Sequence, residues 1–326
     1  MRVLVTGGAG YIGSHTTAAL LSQGMEVVVL DSLVKGHRAA VPAQATFIQG
    51  EVGDRDLLDR IFQAHRIDAV LHFAAFIEAG ESMQFPERFF RNNTAHTLTL
   101  LEAMLAHDVR RFVFSSTAAV YGDPQYTPLD EDHPKAPTSA YGASKLQVEM
   151  ALEWMCRLRG LGATSLRYFN ASGCSLERGE DHRPETHLIP LLLEVAMGRR
   201  PSLKLFGRDY PTPDGTCVRD YVHVEDLAAA HVLALQTLKP GERRAFNLGN
   251  GQGFSNLEVV EKVREVTGHP IPVEDAPRRP GDPALLVASS DKARRELGWS
   301  PRYPDLTSIV RSAWEWRRRH PEGYAR

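Results

Sequence analysis

The chain has 326 residues, 24% of them charged and 43% hydrophobic, with a formal net charge of -2. That length suffices for two cores, or one large core with an added lobe, and the scattered Lys and Arg argue against a nucleic-acid footprint. Cys156, Cys174 and Cys217 share no metal-ligand or CxxC spacing and no apolar run reaches membrane-spanning length, so the expectation is a cytoplasmic protein with no metal site, signal peptide or membrane anchor.

Residues 3–5 form a short apolar strand that runs into Thr6-Gly-Gly-Ala-Gly-Tyr-Ile-Gly13. Gly7 suits a tight turn, Gly10 leaves room for a pyrophosphate, and Gly13 lets the next helix pack on its strand. A glycine triplet alone also fits an ordinary turn. Here a helical stretch follows over 15–23, then a strand over 26–30 ending at Asp31, about twenty residues on, where a ribose-binding carboxylate belongs. The pattern predicts a dinucleotide site. Asp31 accepts hydrogen bonds from a ribose diol and repels a 2′-phosphate, which favours NAD over NADP, although Lys35 and Arg38 partly offset the repulsion.

Further apolar runs at 46–49, 69–73, 112–115 and 165–168 alternate with helix-length amphipathic segments, the signature of an α/β fold with a doubly wound parallel sheet. From about Asn170 the chain is punctuated by proline and glycine, as in Pro211-Thr-Pro-Asp-Gly215 and Pro277-Arg-Arg-Pro-Gly281, which suggests a smaller lobe built largely of loops. The expected division is a nucleotide-binding domain at 1–169, completed by about 217–248, and a second mixed α/β lobe at 170–216 and 249–326.

Tyr141-Gly-Ala-Ser-Lys145 places a phenol and an ammonium one helical turn apart. Alone, that spacing also fits an exposed surface pair. Upstream, Thr117 stands in Ser115-Ser-Thr-Ala-Ala-Val-Tyr-Gly122 at the carboxyl end of a strand, the edge where doubly wound folds bind ligands. A cation beside the phenol lowers its pKa, giving a base for an alcohol proton while hydride leaves for NAD.

Thr-Gly-x-x-Gly-x-x-Gly, His72-Phe-Ala-Ala75, the upstream hydroxyl and Tyr-x-x-x-Lys together resemble the extended short-chain dehydrogenases/reductases, which carry a Rossmann-type sheet. Within them the whole chain resembles the UDP-glucose 4-epimerases, from its glycine loop through Tyr168-Phe-Asn170, His187-Leu-Ile-Pro190, Leu205-Phe-Gly207, Asn247-Leu-Gly249 and Arg278-Arg-Pro-Gly-Asp282 to Pro321-Glu-Gly-Tyr324. The resemblance implies epimerisation of UDP-galactose and UDP-glucose at C4 through a 4-ketosugar, with NAD resident and a UDP-hexose as substrate.

It also implies roles. Tyr141 would be the acid/base, Lys145 would bind the nicotinamide ribose and tune the phenol, and Thr117 would hydrogen-bond the sugar. NAD would meet Gly7, Gly10, Tyr11, Ile12, Gly13, Asp31, Ser32, Glu51, Val52, Phe73, Ala74, Ala75, Asn93, Ser115, Tyr141, Lys145 and Tyr168. The UDP-sugar would meet Thr117, Asn170, His187, Leu188, Phe206, Arg219, Arg279, Asp282 and Leu286. Four positions depart from the family pattern: Glu51, Ile77, Thr117 and Leu286. The leucine is shorter than the tyrosine some members carry, so a side activity on UDP-N-acetylhexosamines is expected. A 4,6-dehydratase or decarboxylase needs acidic groups where this chain has Ala118-Ala119, and a non-catalytic nucleotide sensor would not need both Tyr141 and Lys145. A homodimer is expected through helices at 86–105 and 144–158, where Leu146, Met150 and Trp154 form an apolar stripe.

Overall fold

Seven short runs rich in Val, Ile, Leu and Phe become the strands of one parallel sheet in the computed structural model, which describes residues 1–279 and 282–324. In chain order the strands are β1 (Arg2–Thr6), β2 (Glu26–Asp31), β3 (Thr46–Gln49), β4 (Ala69–His72), β5 (Arg111–Thr117), β6 (Gly162–Tyr168), β7 (Asn170–Ser172), β8 (Leu203–Phe206), β9 (Val218–His223), β10 (Arg243–Leu248), β11 (Gly253–Ser255), β12 (Val273–Ala276) and β13 (Leu285–Leu286). The large sheet runs β10, β6, β5, β4, β1, β2, β3.

Its central strands are apolar at successive positions because both faces are covered. Val3, Val5, Val29 and Leu71 enter one core, which takes in Leu20, Leu227 and Leu235 from the helices Tyr11–Ser22 and Val224–Thr237. Leu4, Val28, Leu30 and Val70 enter the other, with Leu58, Leu101 and Leu152 from the helices Arg55–Ala64, His96–Ala106 and Ala140–Arg159. The strand order reverses between β1 and β4. That leaves a crevice at their carboxyl ends, where ligands bind in such sheets.

Two expectations need correcting. The helix expected over 86–105 is α-helical at Pro86–Phe89, π-helical at Phe90–Ala95 and α-helical again at His96–Ala106. The wider turn presents Asn93 inward to Phe76 and Ser144. The segment after Asn170 is also more regular than its proline and glycine content suggests. Helices Leu188–Ala196, Asn256–Thr267 and Leu306–Arg319 enclose a third core containing Leu192, Val260, Ile309 and Trp316, beside a sheet in which β9 pairs with β7, β11 and β13, and a β8–β12 pair. Proline and glycine there separate short elements rather than replace them. Among the described residues no helix is long and apolar enough to cross a membrane.

A buried ion pair ties the long helix Ala140–Arg159 to the sheet. Glu149 and Arg167 meet at 2.5 Å with their side chains 1% and 2% exposed. Burial alone would raise the Glu149 carboxyl, but the Arg167 guanidinium outweighs it and holds it low. Ser116 donates to Glu149 at 2.7 Å, and Arg167 donates to the Tyr121 hydroxyl at 2.9 Å. Removing one member strands the other charge, so Glu149→Ala is expected to cost about 3–5 kcal/mol in urea-unfolding free energy. A loss below about 1 kcal/mol would show the pair to be incidental.

Four buried imidazoles are kept neutral. Burial pulls His15 and His231 down to about 4 and His72 and His223 down to about 3. His72 shows why. Thr97 spends its hydroxyl hydrogen on Asn93 O at 2.7 Å, so His72 Nε2 must donate to Thr97 Oγ1 at 2.8 Å, leaving Nδ1 to accept from Thr6 at 2.6 Å. Unfolded imidazoles take up protons near pH 6.5, whereas the folded ones wait until about 3 to 4. In that window the unfolded state binds more protons, so stability falls as pH falls. Thermal melts between pH 7 and 4 should show a Tm that drops through the window, and His72→Gln should flatten the slope.

Candidate active site

The glycine loop joins β1 to the helix Tyr11–Ser22 with no spare volume. Gly7 has φ +74°, and a Cβ there would lie 2.4 Å from Ala74 N. A Cβ on Gly13 would lie 2.2 Å from Gly7 O. Gly10 caps the helix in extended conformation without a side-chain hydrogen bond, and the first turn has no acidic residue. The first amides therefore face outward uncompensated, which suits an anion such as a dinucleotide diphosphate. This is the fit that NAD requires.

Tyr141 and Lys145 sit one turn apart at the start of the helix Ala140–Arg159. Ser139 starts that helix by accepting from Gly142 N at 3.1 Å, and Ser82 Oγ accepts from Tyr141 N at 3.0 Å. Gly142 matters as well: a Cβ there would lie 2.4 Å from Ala119 O, so only glycine lets the helix approach the turn Ala118–Val120 that follows Thr117. Thr117 Oγ1 accepts from Ala119 N at 3.1 Å, and the methyl groups of Ala118 and Ala119 offer no acid.

Tyr141, Lys145, Thr117, Ser115 and Tyr168 line one cavity with Gly7, Gly10, Tyr11, Ile12 and Gly13. Phe73, Ala75, Asn170 and His187 also line it. The expected mutual tuning of phenol and ammonium takes a different form here. Lys145 Nζ donates to Ser115 O at 3.0 Å and stands over the Phe114 ring at 4.9 Å. Burial lowers the Lys145 ammonium to about 7. Burial also pushes the Tyr141 phenol up to about 12, partly offset by the Thr117 hydroxyl. Desolvation dominates and the nearby Glu78 carboxylate adds to it, while the lysine's hydrogen bond goes to the strand. Burial likewise raises the Tyr168 phenol, which hydrogen-bonds Ser115.

Other expected contacts lie off this cavity. Asp31 accepts from Ala9 N at 2.9 Å and Leu33 N at 2.8 Å, bracing the glycine loop from behind. Asn93 holds Phe76 and Ser144. Ala74 backs Gly7, Val52 is buried in the second core, and Ser32 and the exposed Glu51 lie nearby in the chain. Leu188 packs on the third core. Arg279 lies 4.3 Å over the Phe206 ring, and Arg219 meets Asp282 at 3.4 Å. Pro280 and Gly281, within the Arg278 to Asp282 segment, fall outside the described residues. Leu286 is in register with Arg219 across β13 and β9, and it meets the cavity only through the cluster that includes Ala118 and Phe169.

Sequence reasoning named Lys35 but missed three polar groups: Glu78, Glu180 and His182. Lys35 and Glu78 pair at 2.5 Å on the cavity wall, next to Ile77. Glu180 and His182 line the cavity beside His187. Burial opposes charge on both members of the Glu180–His187 pair, yet their attraction holds the carboxyl low and the imidazole high. The alternation Glu180-x-His182-x-x-Glu185-x-His187 was the available signal.

The model of the NAD dependent epimerase/dehydratase family matches residues 3–249. A UDP-glucose 4-epimerase from Halalkalibacterium halodurans is 54% identical over 328 aligned positions, spanning 100% of this chain and 98% of the relative. A crystal structure of a UDP-glucose 4-epimerase superposes with TM-score 0.97 at 48% identity, covering 100% of both chains. The UDP-glucose 4-epimerase of Bifidobacterium longum, in complex with NAD+ and UDP, superposes with TM-score 0.94 at 37% identity, over 99% of this chain and 100% of that one. The chain thus belongs to the NAD-dependent epimerase/dehydratase family and, within it, to the UDP-glucose 4-epimerases.

Proposed function

We propose that this protein interconverts UDP-glucose and UDP-galactose, with Tyr141 as the acid/base. The observation that carries the reading is the shared cavity: a phenol, a buried ammonium and a strand-end hydroxyl face the same space as an uncapped helix N-terminus behind a glycine loop. NAD supplies the hydride acceptor and donor, together with a fixed positive charge, when bound. Gly7, Gly10, Tyr11, Ile12 and Gly13 would hold its diphosphate, Phe73, Ala75, Ser115 and Tyr168 would flank it, and Lys145 would reach its ribose. Tyr141 takes the C4 hydroxyl proton as the sugar is oxidised and returns it when the ketone is reduced on the other face. Thr117 holds the same oxygen.

A phenol near 12 is a poor base at neutral pH, so a nearby positive charge must favour the phenolate. The cofactor would provide one, and Lys145, whose ammonium burial brings to about 7, would add to it only while protonated. Asn170, His187, Phe206, Arg219, Arg279 and Asp282 would anchor the UDP, with the arginines supplying forked donors for a diphosphate. The sugar is then free to turn about its anchored end, as epimerisation requires. Residues 1–169 with 217–248 would carry the cofactor, the remainder would carry the substrate, and the enzyme would work in the cytoplasm. Tyr141→Phe is expected to lower kcat in a coupled UDP-galactose assay by about 10²–10⁴-fold while the purified variant keeps its NAD. Near wild-type turnover would remove the phenol from the chemistry.

The reading extends to a homodimer. Met150 and Trp154 are each 58% exposed and Leu158 is 67% exposed, an apolar stripe along the helix Ala140–Arg159 that its own sheet does not cover. Leu146, the first residue of the expected stripe, instead packs inward near Ala118. Large exposed apolar patches usually mark interfaces. Light scattering at micromolar concentration should return about twice the 36.2 kDa chain mass, and Trp154→Glu should shift it toward one chain. A wild-type monomer would end the dimer reading.

A further inference from the structure

Outside the reacting groups, one cluster stands apart: Glu180, His182, Glu185 and His187 each offer a ligand atom, and these atoms all lie within 4.8 Å of one another. His187 Nδ1 is 2.9 Å from Glu180 Oε1 and 2.8 Å from Glu185 Oε1, and His182 Nδ1 is 3.2 Å from Glu180 Oε1 and 3.9 Å from Glu185 Oε2. Four ligands placed tetrahedrally at about 2.0–2.2 Å from a zinc ion are separated by about 3.4 Å, in the middle of this range. The donor atoms already converge within the span such a shell needs, and an ion would replace the proton that His187 Nδ1 now shares with the two carboxylates.

An independent observation points into that space. The Glu185 side chain is 4% exposed, and its Oε2 is buried with no hydrogen-bond partner among the described residues. A buried carboxylate oxygen without a partner carries a full desolvation cost, so it calls for a cation or donor that the protein itself does not supply. The other oxygen, Oε1, accepts from the backbone N–H groups of Thr186 at 2.7 Å and His187 at 2.8 Å. Such outer contacts fix the orientation of a metal-ligating carboxylate.

We propose that Glu180, His182, Glu185 and His187 form a four-ligand site for a divalent cation of the zinc class. Two imidazoles and two carboxylates suit zinc or cobalt better than magnesium or calcium, which prefer all-oxygen shells. Four protein ligands close the shell, and closed shells are structural. The ion therefore acts on the loop. All four ligands come from one eight-residue stretch ahead of the helix Leu188–Ala196, and three of them line the nucleotide cavity. The bound cation would fix this wall and the Tyr11 ring, which stands perpendicular to His182 with centroids 6.2 Å apart. His187 would ligate through Nδ1 and keep Nε2 for the substrate side. The inference does not rest on the epimerase reading.

Full-length protein, stripped with a chelator and dialysed into metal-free buffer, is titrated with Zn²⁺ and separately with Co²⁺. The expected result is one equivalent of either ion, a raised Tm, and visible cobalt bands of tetrahedral intensity. Glu185→Gln and His182→Ala, each checked for fold by circular dichroism, should weaken Zn²⁺ binding by more than about 100-fold, because even outer-contact losses cost about 10–100-fold. Wild-type protein that takes up no stoichiometric Zn²⁺ overturns the site whatever the variants do. So does wild-type affinity in folded variants, or an octahedral cobalt spectrum.

Discussion

Everything at the reaction end of this molecule hangs on a buried charge pair. Glu149 and Arg167 lock the helix bearing Tyr141 and Lys145 to β6, Ser116 extends the lock to β5, and Tyr121 passes it on to Asn247 of β10 at 2.6 Å. Asn247 in turn donates to Leu129 O at 3.0 Å. One network thus joins the helix, three strands and the loop after Thr117. Such a network is a costly way to make a protein stable, since both charges leave water. What it provides is direction: the helix cannot slide or rotate without leaving a charge unpaired.

The same dryness shapes the chemistry. Burial brings the Lys145 ammonium to about 7 and lifts the Tyr141 phenol to about 12, so the site resists charge on both groups. A cavity of this kind amplifies any charge that enters with a ligand, because little solvent remains to screen it. Under the proposed mechanism, proton transfer would then be tied to cofactor occupancy rather than to a resting property of the side chains.

Legibility in the sequence followed the range of the interaction. The glycine loop, the strands and the Tyr-Lys spacing are local and could be read directly, because backbone angles and helical periodicity act over a few residues. Placement of Asn93 could not be read. It depends on a π-helical turn at Phe90–Ala95 and on Phe76 and Ser144, which come from distant parts of the chain. Asp31 is legible as a carboxylate at the right distance, but of its two backbone partners only Leu33 is local, and the approach of Ala9 is supplied by the fold. After Asn170, proline and glycine mark the ends of short elements and hide the apolar faces of the helices between them. The Glu180 to His187 cluster lies within eight residues, yet only the loop's shape turns Glu180, His182 and Glu185 toward His187, the one member the resemblance implied.

A Tyr-x-x-x-Lys pattern is written as if its three inner positions were free. In this chain the first of them is not: Gly142 faces the carbonyl of Ala119 so closely that any side chain would push the helix, and with it the phenol, away from Thr117. The pattern therefore has a hidden third letter. A search that keeps only the outer two letters would accept chains whose tyrosine and lysine are correctly spaced along a helix that stands too far from its strand to be used.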